Sequence, residues 1–273
     1  QHVLKDRWVL AVSGTHGKTT TASMLAHILA YAGLQPGYLI GGVPNNFNQS
    51  ACLGESPFFV IEADEYDTAF FDKRSKLVHY QPRTLILNNL EFDHADIFRD
   101  LLDIQKQFHH VIKLVPASGK LIINGEDKNI QDVLAMGCWS EQETFGSQPG
   151  HDWQLQTKSG QSAFEVLIGD KQNLHCQCQQ LGRYNAMNAV AAMAAARHAG
   201  VAADVAAQAL AQFSGVKRRL ENKGEFAGVT IYDDFAHHPT EIQCTLEGFS
   251  QHFPHNRMVV VFEPRSNSMQ MGT

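Results

Sequence analysis

The stretch WVLAVSGTHGKTTTASMLA, Trp8 to Ala26, decides the fold. Trp8 to Val12 is an apolar run suited to a buried strand, and from Lys18 onward the residues read as a helix. Between them, Gly14-Thr15-His16-Gly17-Lys18-Thr19 has the parts of a nucleotide phosphate site. Glycines let backbone N–H groups turn toward an anion, and the following helix presents its positive end. Lys18 reaches the outer phosphates, and the Thr19 hydroxyl can join a Mg²⁺ shell. The match to GxxxxGK[ST] is imperfect, because Val12 stands where the first glycine would be. Its place between strand and helix carries the reading.

Outward from this loop, short apolar runs alternate with helical stretches. Strands are expected at Trp8 to Val12, Tyr38 to Ile40, Phe58 to Ile61, Thr84 to Leu87, Lys120 to Ile123 and Glu143 to Phe145. Helices are expected at 18 to 32, 97 to 113 and 127 to 135. Strands apolar throughout and separated by helices imply a parallel sheet covered on both faces, the α/β doubly wound class. Residues 152 to 180 instead alternate between tight turns, which predicts a small antiparallel meander. Alanine-rich helices at about 184 to 199 and 202 to 213 follow, split by Gly200.

Ser214 to Gly228 is polar and glycine-containing and reads as a linker. Beyond it come a strand at Val229 to Tyr232, a helix at about 239 to 251 and a strand at Met258 to Phe262. The expected division is a P-loop domain over 1–215 and, over 216–273, a linker and the beginning of a further domain. So few elements cannot bury an independent core, so the chain is expected to be a fragment ending inside its last domain.

The 273 residues include 22 basic and 28 acidic side chains, a net charge of −6, so no field gathers nucleic acid or an anionic membrane. No apolar run approaches the roughly 20 residues that span a bilayer, and the amino terminus lacks a signal-peptide core. The expectation is a cytoplasmic protein with no nucleic-acid or membrane partner. The five cysteines form no CxxC pair and fit reduced thiols. His175-Cys176-Gln177-Cys178 offers ligand types but has no second ligand pair, so thiols on one strand face are expected.

A phosphate loop needs a metal carboxylate from a neighbouring strand. Phe58-Phe59-Val60-Ile61 runs into Glu62, which makes Glu62 the first metal ligand at the carboxyl edge of the sheet. Asp64 and Glu65 read individually as solvated turn acids. The next strand ends in Asn88-Asn89-Leu90-Glu91-Phe92-Asp93-His94. His94 can bind a second divalent ion, and Asp93 can orient it or cap the next helix.

Taken with GTHGKTTT, EADEYD and NNLEFDHAD, the stretches Gly182 to Ala189, Val216 to Arg219 and Asp233 to Pro239 resemble the Mur ligase family. These are ATP-dependent amide-forming enzymes of peptidoglycan synthesis. The resemblance covers nearly the entire chain and keeps family order. It implies ATP and Mg²⁺ as cofactors and places Gly14, Thr15, His16, Gly17, Lys18, Thr19 and Thr20 against the nucleotide. Lys18, Glu62 and His94 become the catalytic set, with Thr19, Glu62 and His94 on metal.

Asn185 and Asn188 match positions near the nucleotide, Arg219 the linker arginine at the phosphates, and Asp234 and His237 contacts from the third domain. Arg218 remains the alternative to Arg219. Several family members carry a carbamylated lysine after the histidine; here that place is His109, and Lys106 reads as a helix-surface residue.

DDFAHHPTEI resembles the branch acting on UDP-N-acetylmuramate. Phe71 to Lys76 and Glu263 to Met269 resemble the recycling enzymes of that branch, which attach a recovered murein tripeptide through an acyl phosphate, more than those that add L-alanine. The resemblance also implies an amino-terminal UDP-binding domain, expected to be missing here, and a Rossmann-like carboxyl-terminal domain, of which 216–273 would be the start. A monomer is expected. A P-loop ATPase switch or kinase would use Lys18, Thr19 and Glu62 equally well but needs neither a second metal residue nor a linker arginine.

Overall fold

A computed structural model describes residues 3–64, 76–93, 98–157, 163–170 and 172–264. The strands are β1 (Trp8–Ser13), β2 (Gly37–Leu39), β3 (Ala51–Cys52), β4 (Phe58–Glu62), β5 (Thr84–Leu87), β6 (Lys120–Asn124), β7 (Glu141–Gly146), β8 (Trp153–Thr157), β9 (Ala163–Ile168) and β10 (Gln172–Gln177). They form one sheet in the order β10-β9-β8-β7-β6-β5-β1-β4-β2-β3. β2, β4, β1, β5, β6, β7 and β8 run parallel, while β3 at one end and β9 and β10 at the other pair antiparallel. The meander is therefore continuous with the main sheet.

Strand alternation explains why these runs are apolar throughout. Leu10, Val12, Ile86 and Ile122 enter one buried cluster with residues of α1 (Lys18–Tyr31), α4 (Arg183–His198) and α5 (Ala203–Ala211). Their neighbours Val9, Ala11, Leu85, Leu87, Leu121 and Ile123 enter another with α2 (Leu101–Ile112) and α3 (Lys128–Ala135). Each fully buried aliphatic side chain stabilises the fold by about 1.5–3 kcal/mol, and both faces contribute. The apolar side of the meander, including Trp153, Phe164, Val166 and Cys176, joins the cluster of α4 and α5.

Two local expectations differ. Glu221–Phe226, read as linker, is β11, paired antiparallel with β12 (Val229–Asp233) as a separate two-stranded sheet. The turn between them places Ala227 at φ 50° and Gly228 at φ 77°, the positive-φ pair that matches the twist of a tight hairpin. Met258 to Phe262, expected as a strand, is irregular and unpaired, with Val261 96% exposed. A strand needs a neighbour to take its backbone hydrogen bonds, and none of the described strands lies beside it.

The last helix, α6 (Pro239–His252), packs on the hairpin through Tyr232, Phe249 and Phe253. Its Gly248 meets Gly182 at the head of α4 so closely that an added Cβ would lie 3.1 Å from the Gly182 Cα. This crossing brings the amino-terminal turn of α6 over the phosphate loop. None of the described helices is long and apolar enough to cross a membrane.

Candidate nucleotide site

β1 runs directly into Gly14-Thr15-His16-Gly17, and Gly17 at φ +74° is the N-cap of α1. A Cβ there would lie 2.7 Å from Asn188 Oδ1 and 3.0 Å from Asn88 Nδ2, so only glycine satisfies both the dihedral and the space. The segment after β5 braces the loop. Asn89 Oδ1 accepts the His16 N–H at 2.7 Å, Thr15 N–H donates to Asn89 O at 3.1 Å, and Glu91 N–H donates to the Thr15 hydroxyl at 2.8 Å. The amide N–H groups of the first turn of α1 and the helix dipole make this a ready anion cradle.

Lys18 is 9% exposed; its Nζ donates to Gly14 O at 2.7 Å and lies 3.3 Å from Asp64 Oδ1. Asp64 is thus an ion-pair partner, contrary to the solvated turn expected for it. The Thr19 hydroxyl donates to Glu62 Oε1 at 2.8 Å, and Glu62 Oε2 accepts the Gly41 N–H at 2.7 Å. Burial, reinforced by the charge of Asp64, raises the Glu62 carboxyl above the usual range, so a cation beside it would relieve a real electrostatic penalty. Adjacent hydroxyl and carboxylate oxygens are the donor chemistry of a hard ion such as Mg²⁺, and the pair fits one. His94 and Glu65 lie outside the described residues. Asp93 is buried but does not cap α2, whose cap is Asp100, accepting from the Asp103 N–H.

At the head of α1 opens a cleft whose walls come from both parts of the chain. The phosphate loop and α1 give His16, Gly17 and Thr20, α4 gives Asn185 and Asn188, and the later segment gives Arg219 and Asp234. Asn188 Oδ1 accepts from Asn88 Nδ2 at 2.8 Å, and Asn185 Nδ2 donates to Leu181 O at 2.8 Å, so the segment after β5 holds the first amide and the turn before α4 the second. Asp234 accepts the Leu220 and Ala236 N–H groups at 2.7 and 2.8 Å, while burial raises its carboxyl. Arg219 lines the cleft; Arg218 does not and lies 3.6 Å from Asp233, while both guanidinium groups sit over the Phe235 ring. His237 is not among the lining residues, and its backbone N–H donates to Glu241 at 3.2 Å.

At the rim, His16 sits between two acids. Its Nε2 is 3.2 Å from Glu91 Oε2 and its Nδ1 3.6 Å from Glu241 Oε1. Burial alone would lower the imidazole, but hydrogen bonds and charge from Glu241 and Glu91 outweigh it and raise the ring to about 9. Glu91 falls to about 2, chiefly through its hydrogen bond with His16. Burial opposes the ionised form of Glu241, yet His16 and Arg219 bring it to about 2 as well. Thr240 Oγ1 donates to Glu91 Oε2 at 2.7 Å, joining the first turn of α6 to the segment after β5.

Sequence reasoning missed Glu91, His238 and Glu241 as individuals. Glu91 stood in a noted acidic stretch, but nothing local marks Glu241, because its partner lies in the phosphate loop. Lys106 is half-exposed on α2 and 3.4 Å from Asp103, and His109 bonds Gly137 O at 3.2 Å. Cys176 on β10 and Cys178 just past its end are both buried, with His175 exposed on the other face, which places the thiols on one side as expected.

Residues 12–196 match the Mur ligase middle domain, and residues 218–272 match the family model described as Mur ligase, glutamate ligase domain. The chain is 58% identical over 272 residues to the UDP-N-acetylmuramate–L-alanyl-γ-D-glutamyl-meso-2,6-diaminoheptandioate ligase of Escherichia coli, covering 99% of this chain and 59% of the relative. It is 35% identical over 265 residues to the UDP-N-acetylmuramate–L-alanine ligase of an Anaeromyxobacter species, covering 96% of this chain and 56% of that one. A solved murein peptide ligase from Psychrobacter arcticus superposes with a TM-score of 0.77 at 43% identity, covering 99% of this chain and 60% of that structure. The chain therefore spans about three-fifths of the length of these curated relatives.

Proposed function

The chain belongs to the Mur ligase family, and on that premise we propose that it forms the ATP-handling part of an ADP-forming ligase. That ligase joins the tripeptide L-alanyl-γ-D-glutamyl-meso-diaminopimelate to the lactyl carboxylate of UDP-N-acetylmuramate. The observation that carries this reading is the shared cleft. Phosphate-loop and α4 residues form one wall, and Arg219 and Asp234 from the second matched segment form the other. The higher identity to the tripeptide-adding relative than to the L-alanine-adding one supports the choice of amine. Residues 1–215 are proposed as the central domain and 216–273 as the start of the next.

A carboxylate is a poor acyl donor because oxide is a poor leaving group. In the proposed reaction the γ-phosphoryl group passes from ATP to a lactyl carboxylate oxygen, giving an acyl phosphate and ADP. The α-amine of the tripeptide then attacks the acyl carbon, the amide bond forms, and phosphate leaves. Both steps gather negative charge, so positioned cations and N–H donors supply most of the stabilisation.

In this scheme the amides at the start of α1 and the Lys18 ammonium hold the phosphates. Thr19 and Glu62 would hold a Mg²⁺ ion, which when bound offsets repulsion between the anionic reactants. His94 is proposed as ligand for a second ion. Asn185, Asn188 and Asp234 orient the nucleoside side, and Arg219 adds positive charge from the opposite wall, so the nucleotide bridges the two segments.

The test is ADP release by the intact protein, measured with ATP and Mg²⁺ and with each acceptor added alone or together. Release is expected only when UDP-N-acetylmuramate and tripeptide are both present. ADP release indifferent to these substrates would overturn the proposal in favour of an ATPase switch, and a preference for L-alanine would move the chain to the other branch.

A further inference from the structure

Between the phosphate loop, the segment after β5 and the cap of α6 lies a cluster that the nucleotide reading does not use as ligands: His16, Glu91 and His238. One ring nitrogen or carboxylate oxygen from each lies within 4.8 Å of the others. His16 Nε2 and Glu91 Oε2 are 3.2 Å apart, and His238 Nδ1 and the same oxygen are 3.7 Å apart. A tetrahedral ion with bonds near 2.0–2.1 Å holds its donors about 3.4 Å apart, so both spacings are close to the required edge. The two ring centroids are 4.4 Å apart and the ring planes are tilted by 42°. We propose that His16, Glu91 and His238 form a binding site for a transition-metal ion such as Zn²⁺, bridging the phosphate loop and the cap of α6.

The surroundings have the form of a metal outer shell. A ligating histidine commonly turns its second ring nitrogen to a carboxylate, which fixes the ring. Here His16 Nδ1 faces Glu241 Oε1 at 3.6 Å while Nε2 faces the cluster. The Glu91 carboxylate is held in turn by the Thr240 hydroxyl at 2.7 Å. His238 Nδ1 accepts the Thr240 N–H at 3.3 Å, so that nitrogen carries a lone pair rather than a proton. The ion would replace this long cap bond and the proton shared by His16 and Glu91, and binding therefore releases a proton.

Donor chemistry separates this site from the Mg²⁺ position. Two imidazoles and one carboxylate favour Zn²⁺, Cu²⁺ or Ni²⁺, whereas the all-oxygen pair of Thr19 and Glu62 suits Mg²⁺. Three protein donors leave a fourth position for water. Because the donors sit on three chain segments far apart in sequence, a bound ion would tie the phosphate loop to α6. The inference does not depend on which amine the ligase takes.

The experiment titrates Co²⁺ into the intact, chelator-stripped protein without nucleotide and follows the visible spectrum. Expected is one tightly bound ion with the intense absorption of tetrahedral Co²⁺, displaced by an equivalent of Zn²⁺. Both His238→Ala and the shape-preserving Glu91→Gln should weaken binding by about tenfold or more, while Glu62→Gln should leave it unchanged. Only weak octahedral absorption, tight binding that survives both ligand changes, or binding abolished by Glu62→Gln would overturn the proposal; the last would place the ion at Thr19 and Glu62. Because no nucleotide or acceptor is present, the outcome is independent of the ligase reading.

Discussion

Replacing Gly17 with alanine sets two separate costs on the phosphate loop. At φ +74° a residue with a Cβ is in the left-handed region, which costs about 1–2 kcal/mol. The new methyl would also stand 2.7 Å from Asn188 Oδ1, an approach that real Cβ atoms do not make. The neighbour must give way, and Asn188 is held by the buried 2.8 Å bond from Asn88. Breaking that bond and leaving its partner unpaired costs about 1–3 kcal/mol, so Gly17→Ala should destabilise the fold by about 2–5 kcal/mol in all. Gly33→Ala is the control: its φ is +79° and nothing lies within 4 Å of the added Cβ, so it should show only the dihedral cost of about 1–2 kcal/mol. Urea unfolding followed by the fluorescence of buried Trp153 measures both, and calorimetry with ATP should show a loss of affinity for Gly17→Ala alone. Equal destabilisation by the two variants would refute the steric part of the reasoning. Unchanged ATP affinity in a folded Gly17→Ala protein would refute the assignment of the loop to phosphate.

The ion pairs around His16 predict a pH window. With its ring raised from 6.5 to about 9, the stabilisation from His16 is fully present below pH 6.5 and is lost as pH rises through 9. Glu91 and Glu241, lowered from 4.5 to about 2, contribute above pH 4.5 and lose that contribution as pH falls through 2. Hydrogen exchange at the first turn of α6 should therefore be slowest between pH 4.5 and 6.5, after correction for intrinsic exchange rates, and Glu241→Gln should flatten the profile. A wild-type profile unchanged by that substitution would dismiss the pairing. Burial raises the Cys176 and Cys178 thiols to about 12 and 11, so both should resist iodoacetamide until the protein unfolds, whereas Cys244, which lines the cleft, should react slowly and be protected by ATP. Mass spectrometry of alkylated peptides checks this, and ready labelling of Cys176 in the native protein would contradict the packing of β10.

The central sheet was legible because each strand obeys one local rule. Leu10 and Val12 need a helix on one face and Val9 and Ala11 a helix on the other, so an unbroken apolar run already states that both faces are covered. The errors fell where partners, rather than composition, decide. Glu221–Phe226 is too polar to announce a strand, yet it pairs with Val229–Asp233 because the Ala227-Gly228 turn returns the chain on itself. Met258 to Phe262 has the apolar content of a strand but no edge to bond to among the described residues. Hydrophobic pattern selects what can be buried; hydrogen-bond partners select what becomes sheet.

The same distinction governs the candidate site. Lys18, Thr19 and Glu62 were legible because each stands directly at the end of a recognisable strand or the start of a helix, where topology delivers side chains to one edge. The loop's own rigidity was not. His16 is held by Glu91, 75 residues away, and by Glu241, in a segment that the sequence assigns to another domain. Neither acid has a local signature: Glu91 stands in the irregular segment after β5, and a glutamate in the first turn of a helix, as Glu241 is, is ordinary. Only the close crossing of Gly182 and Gly248 makes them neighbours. At Gly248 an added Cβ would stand 3.1 Å from the Gly182 Cα, so a bulkier residue there would push α6 off α4 and loosen the Glu241–His16 contact, whereas a Cβ at Gly182 would meet chiefly the Tyr184 ring. The positioning of the phosphate loop is thus partly a property of helix packing far from the loop in sequence, and it follows from backbone approach rather than from any motif.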